Sequence, residues 1–195
     1  MNKPVTIVFA LLMSTTTVAE EKPSKEDTIA WLYERIAVIE TPKFDHVTDD
    51  DLEYSTELRR QAIDFPEDGT TIKIDYVEHD DWKVSKSGSI GFRQYTWTAS
   101  AKLSDMSSNV ELETLPTGDP EVFTSHYMYI RLSCSLKVCF NGERTHTHGD
   151  SHTFNESWNS RSLLIPRAIA DRVQKALSHL ITLSGGKDKV SEDLF

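Results

Sequence analysis

The stretch Pro166–Gly186, PRAIADRVQKALSHLITLSGG, sets the plan of the chain. Ile169, Val173, Ala176, Leu177, Leu180 and Ile181 recur at helical intervals, which lays them on one face of an α-helix. Pro166 suits the first helical position, because its φ is already helical and its missing N–H costs no bond there. Gly185 and Gly186 end the helix, since glycine adopts the left-handed C-terminal turn without a Cβ clash. One apolar stripe needs a second layer to cover, and the segments before it read as strands.

Working back along the chain, Ser162–Ile165 is a short strand. Val138–Phe140 leads into Asn141-Gly142, the strongest hairpin signal present, with Arg144–Phe154 as the returning strand or a loop on it. Val122–Cys134 reads as the longest aromatic-rich strand, entered from a turn at Gly118-Asp119-Pro120. Val110–Leu115 is a shorter one. Ile90–Ala101 alternates through Ile90 and Phe92 and, after a phase slip, through Tyr95 and Trp97. The Ser85–Gly88 turn separates it from Ile72, Ile74 and Tyr76, which alternate with Lys73, Asp75 and Val77. Near the other end, Ser24 with Asp27 forms a capping-box-like start. Ile29, Leu32, Ile36 and Ile39 follow at helical spacing, flanked by Trp31 and Tyr33, and Pro42 sets the stop. The expectation is an α+β fold: a curved antiparallel sheet or small partly open barrel, with an N-terminal helix and a C-terminal helix packed on it. No internal repeat interrupts this plan.

Residues 1–19 stand outside it. Lys3 precedes a compact apolar run, Val5–Met13, and Thr17-Val18-Ala19 supplies small residues before Glu20, the three-part plan of a secretory signal peptide. The run is shorter than the roughly 20 apolar residues a membrane span requires, and no other segment is long enough. The expected organisation is a signal peptide at 1–19, a flexible linker at 20–25 and a single α+β domain at 26–184. A C-terminal tail at 185–195 completes it. Cleavage leaves about 175 residues, the usual size of one domain. The expected location is the periplasm or the extracellular medium, with no membrane insertion once the leader is removed.

Hydrophobic residues at 38% and charged residues at 27% fit a folded domain rather than wholesale disorder. The net charge of −10 repels nucleic acid and anionic lipid, so neither is an expected partner. A cationic partner, or simple solubility, accounts for it. Cys134 and Cys139 are the only cysteines, and in an oxidising compartment an even pair closes into a disulfide. Four residues separate them, whereas redox-active pairs have two.

His146, His148, Asp150 and His152 alternate through Thr147, Gly149 and Ser151. On an extended strand this spacing puts all four on one face, and imidazole with carboxylate suits zinc. The alternative is a solvated hairpin broken at Gly149. The run resembles the HxHxDH motif of metallo-β-lactamase-like hydrolases. Ser151 adds a residue before the last histidine, however, and the chain is too short for that fold, so that family is rejected. Asp49-Asp50-Asp51 with Glu53, and His79-Asp80-Asp81, lack the ligand spacing of a calcium loop and read as helix starts or turns. Ser184–Lys187 matches SxxK only formally. Trp82, Trp97 and Trp158 are core residues or a binding platform.

Arg172–Lys187 (RVQKALSHLITLSGGK), Ile165-Pro166, the Cys134/Cys139 pair and the Thr28–Leu32 helix together resemble small uncharacterised exported bacterial proteins. Those have a pleckstrin-homology-like or GRAM-like arrangement. The resemblance implies a small curved sheet closed by a C-terminal helix, and carries no activity or site residue with it. The favoured expectation is an exported, non-enzymatic binding or structural module with a protein or peptide partner. One alternative is a divalent-metal protein or small metal-dependent hydrolase using His146, His148, Asp150 and His152, with zinc as cofactor; otherwise no cofactor is expected. Another is an acidic inhibitor or immunity-type protein for a cationic partner.

Overall fold

Residues 22–46, 52–66, 68–84, 90–114, 121–148 and 150–187 are described by a computed structural model. The expected signal peptide, the expected turns at 118–120 and 85–88, and the Asp49–Asp51 run lie outside these residues. In the N-terminal helix α1 (Lys25–Ile36), Ser24 caps the Asp27 N–H and Asp27 accepts from the Ser24 N–H, the reciprocal box expected from the sequence. The helix starts inside the segment expected as a linker. It stops at Ile36 rather than Pro42, so Ile39 joins a strand instead of the helical stripe.

Ten strands follow. β1 (Val38–Glu40) and β2 (Phe44–His46) both pair with β3 (Leu52–Asp64), which continues through β4 (Thr71–Val84) to β5 (Ile90–Lys102). Then come β6 (Glu111–Glu113), a short α2 (Glu121–His126), β7 (Tyr127–Ser133), β8 (Phe140–His148), β9 (Asp150–Trp158) and β10 (Ser160–Pro166). The C-terminal helix α3 (Ala170–Leu183) closes the chain. The antiparallel sheet expected from the sequence is present but divided into two sheets, and among the described residues neither closes into a barrel. A seven-stranded sheet runs β1-β3-β4-β5-β8-β9 with β2 beside β3, and a three-stranded sheet runs β10-β7-β6.

The two sheets meet at a corner. Ser133 pairs with Ser160 in the small sheet, and Phe140 pairs with Trp158 in the large one. Between those rungs the chain makes an excursion from Cys134 to Cys139 opposite Asn159 alone. The disulfide expected from the sequence closes that excursion, with Cα atoms 5.6 Å apart. Cys134 and Cys139 donate their N–H groups to the Asn159 and Trp158 carbonyls, so the pinched loop stays hydrogen-bonded while the strands change sheet. Among the described residues no helix is long and apolar enough to cross a membrane.

Several sequence expectations fail for local reasons. Asn141 and Gly142 lie within β8, paired with Ser100 and Ala99 of β5, not in a hairpin turn. Glycine is required there for another reason: a Cβ would overlap the Thr98 carbonyl of β5. Val122–Cys134 is not one strand, because its first part coils into α2. Tyr95 and Trp97 need no phase slip; β4 and β5 stay in continuous register from Lys83/Ile90 to Thr71/Lys102. Ile90 and Phe92 simply occupy the opposite face. His79-Asp80-Asp81 is neither a helix start nor a turn but the middle of β4. Pro166 ends β10, and a short 3-10 turn, Arg167–Ile169, precedes α3.

One contiguous core joins these layers. Ala170, Val173, Leu177, Leu180 and Ile181 of α3 are buried together with Leu32 and Ile36 of α1. Ile130 and Leu132 of β7 and Leu163–Ile165 of β10 meet them, as do Ile63, Ile72, Ile74, Ala99 and Phe140 of the large sheet. The end of α3 forms a Schellman motif: Gly186 N–H donates to the Ile181 carbonyl, Gly185 N–H to that of Thr182, and Gly185 takes φ +88°. Ser107 N–H bonds Ser133, and Ser108 N–H bonds the Lys187 carbonyl, which ties residue 187 to the domain.

Candidate functional site

Register determines which side chains share the large sheet's inner face. Gln61, Tyr76, Trp97, Arg144 and Phe154 form one row across five strands, and Arg59, Glu78, Tyr95, His146 and His152 form the next. Where this face meets β7 and β10, a cleft of about 370 Å³ opens, lined by Tyr76, Glu78, Trp97, Tyr129, Arg161 and the serines beside it. Tyr76 and Trp97 stack with ring centroids 5.2 Å apart and form an apolar wall.

Behind that wall runs a polar seam between the sheets. Gln61, fully buried, accepts the Leu164 N–H at 2.9 Å and donates to the Leu164 carbonyl at 3.2 Å. Leu164 lies on the edge strand of the small sheet, so one amide side chain satisfies both exposed edge groups. Buried Arg59 donates from Nη1 to the Tyr129 hydroxyl at 3.1 Å, and its Nε lies 3.9 Å from Glu78. The Tyr76 hydroxyl donates to the same Glu78 carboxylate at 3.1 Å. Burial, with Tyr129 and Glu78 nearby, pushes the Tyr76 phenol far above its ordinary range, so it stays a donor.

Arg161 is the least compensated charge of the cleft. Its guanidinium lies 3.4 Å from the Trp158 ring centroid and 4.8 Å from that of Trp97. Its Nε is buried and has no hydrogen-bond partner among the described residues. Glu156, the carboxylate that favours its charge, is already held by Arg144 at 2.8 Å and by the Trp158 indole N–H at 3.0 Å. Burial lowers the Arg161 pKa to about 10, which still leaves it cationic at neutral pH.

The histidine cluster lies farther out on the same face. β8 and β9 form a hairpin that sets His146 opposite His152 and His148 opposite Asp150. Cross-strand partners share a face, so the backbone puts all four positions on one side, as the alternation implies. The single extended strand is corrected to two paired strands on either side of residue 149, which matches the hairpin alternative. His146 is half-buried against Tyr95, the two rings parallel at 4.3 Å, whereas Asp150 and His152 are exposed. Gly149 and the His148 side chain lie outside the described residues. Among the described residues no three His, Cys, Asp or Glu side chains gather as a metal-binding group. Nearby, Arg93 Nε is bonded to the buried Asp80 carboxylate, an interaction that raises the arginine pKa.

Sequence reasoning singled out Trp97 and Trp158 and missed Arg59, Gln61, Glu78, Tyr129 and Arg161. The available signal was weak: Arg59, Gln61 and Ile63 occupy alternate positions, but only the last is apolar. Comparison with known protein families, with curated proteins and with solved structures finds no match for this chain.

Proposed function

We propose that the chain is an exported, non-enzymatic binding domain whose ligand enters the cleft between the two sheets. One observation carries this reading: a stacked aromatic wall stands beside a half-buried guanidinium with no carboxylate in ion-pair reach among the described residues. Concave sites of mixed aromatic and sparse polar lining are the usual form of small-ligand sites. The leader-like residues 1–19 and the closed Cys134–Cys139 bond support export, and the C-terminal helix over antiparallel strands supports kinship with pleckstrin-homology-like exported proteins. A ligand-observed NMR fragment screen tests the binding reading. Hits should compete with one another and be lost in Trp97→Ala, while a screen without cleft-dependent hits retires it. Mass analysis of protein recovered from the periplasm or medium should give an N-terminus near Glu20.

The hairpin register favours a second reading, a divalent-metal site on His146, His148, Asp150 and His152. Two facing pairs of ligand-type residues on one hairpin face are its warrant. Zn²⁺ added to metal-free protein should then raise the melting temperature, and His152→Ala should remove that rise. An unchanged melting temperature in the parent protein rules it out.

A further inference from the structure

Resting on the reading of the cleft as a binding site, we infer that its ligand presents a single carboxylate next to a flat apolar group, with Arg161 as the carboxylate's partner and the Tyr76–Trp97 stack as the apolar group's. The charge pattern of the cleft leads to this class. Glu78 is engaged by Tyr76 and faces Arg59, and Glu156 is engaged by Arg144 and Trp158. Arg161 has neither carboxylate to itself. Two indoles lie within cation–π distance of its guanidinium and supply no charge, so its N–H donors are the groups that would recognise an anion. A guanidinium matches a carboxylate bidentately, and a charge-assisted pair formed in a partly dehydrated cleft is stronger than one in water.

The whole molecule narrows the class further. A net charge of −10 repels polyanions at long range, so nucleic acids and anionic polysaccharides are disfavoured even with an arginine in the cleft. The repulsion scales with the charge of the ligand and is screened beyond a Debye length, so a single negative charge feels little of it and gains the local contact. The cleft volume of about 370 Å³ sits near the lower end of small-ligand sites, which suits a small aromatic acid or the last residue of a peptide.

The test compares matched probes on the whole, unsubstituted chain. Phenylacetate and phenylacetamide share shape and differ in charge; binding is read from the indole N–H resonances of Trp97 and Trp158, assigned with Trp97→Phe and Trp158→Phe. Phenylacetate should move both resonances with a dissociation constant on the order of millimolar, at least tenfold tighter than the amide. Arg161→Gln should remove the preference, and Arg161→Lys, which keeps the charge without the fork, should keep only part of it. Acetyl-Gly-Phe with a free and with an amidated C-terminus distinguishes the two sources. A free-acid peptide binding tenfold tighter than phenylacetate assigns the carboxylate to a peptide end, and equal binding assigns it to a small acid; both support the class. Equal binding of acid and amide overturns the carboxylate inference while leaving the cleft a binding site. No shift with any probe overturns the binding reading itself.

Discussion

The large sheet has two unlike halves. Toward Thr71, Lys102 and Phe140 its inner face is covered by α1, α3 and the small sheet, and its side chains are apolar and buried. Toward Val84, Ile90 and His148 no apolar residue is buried among the described residues. There the strands are joined by ladder bonds and cross-strand pairs, among them the Tyr95–His146 stack, the Thr145–Thr153 hydroxyl bond and the Asp80–Arg93 pair. The contrast separates two sources of order. Burial holds the first half, and ladder bonds with side-chain pairing hold the second. The cleft lies on the boundary, where the buried half adjoins the open one.

Substitutions on the two sides should differ by several kcal/mol. Phe140 is 0% exposed on β8, and Phe140→Ala should cost about 3–5 kcal/mol in a denaturant titration, an effect large enough to threaten folding. Gln61→Leu should follow at about 2–4 kcal/mol, because the Leu164 N–H and carbonyl both lose their partner in a buried seam. Reducing the disulfide, or replacing both cysteines by serine, should cost about 2 kcal/mol for so short a loop. Its effect should appear at the corner, as faster amide exchange at Trp158 to Ser160. Tyr95→Ala removes one stacked pair and should lower stability by about 0.5–1.5 kcal/mol. Exchange should rise in the far parts of β5 and β8 and stay unchanged in α3. Phe154→Ala, on an aromatic that is 51% exposed, should change stability by no more than about 0.5 kcal/mol. A loss comparable to that of Phe140→Ala would break the comparison, because it would mean the outer half hides a core of its own.

Legibility in the sequence follows the same division. α3 and β4 were readable because their inward positions are apolar and recur with the period of the element. β3 went unrecognised because its inward positions include Arg59 and Gln61, which look like surface residues until their partners arrive from 70 and 103 residues away. Asn141-Gly142 misled for a related reason. The dipeptide that favours a turn also serves where a neighbouring backbone leaves no room for a Cβ, and local sequence does not distinguish the two. At the histidines the alternative reading, a hairpin broken at Gly149, was legible from the glycine, and the pairing of β8 with β9 agrees with it; the Tyr95 ring against His146 depended on strand pairing.

By itself the sequence determined the α+β class, the capping of the first helix, the glycine stop of the last, and the cysteines that pair. Each is a short-range consequence of periodicity, backbone freedom or loop closure. Tertiary structure alone decided that the strands split into two sheets at the disulfide corner, and that Arg161 comes to rest against Trp97 and Trp158 beside the Tyr76–Trp97 stack. The physical reason is that a polar side chain's environment is set by groups distant in sequence. Whether a charge is paired, buried or left open to a ligand is decided only when the layers close.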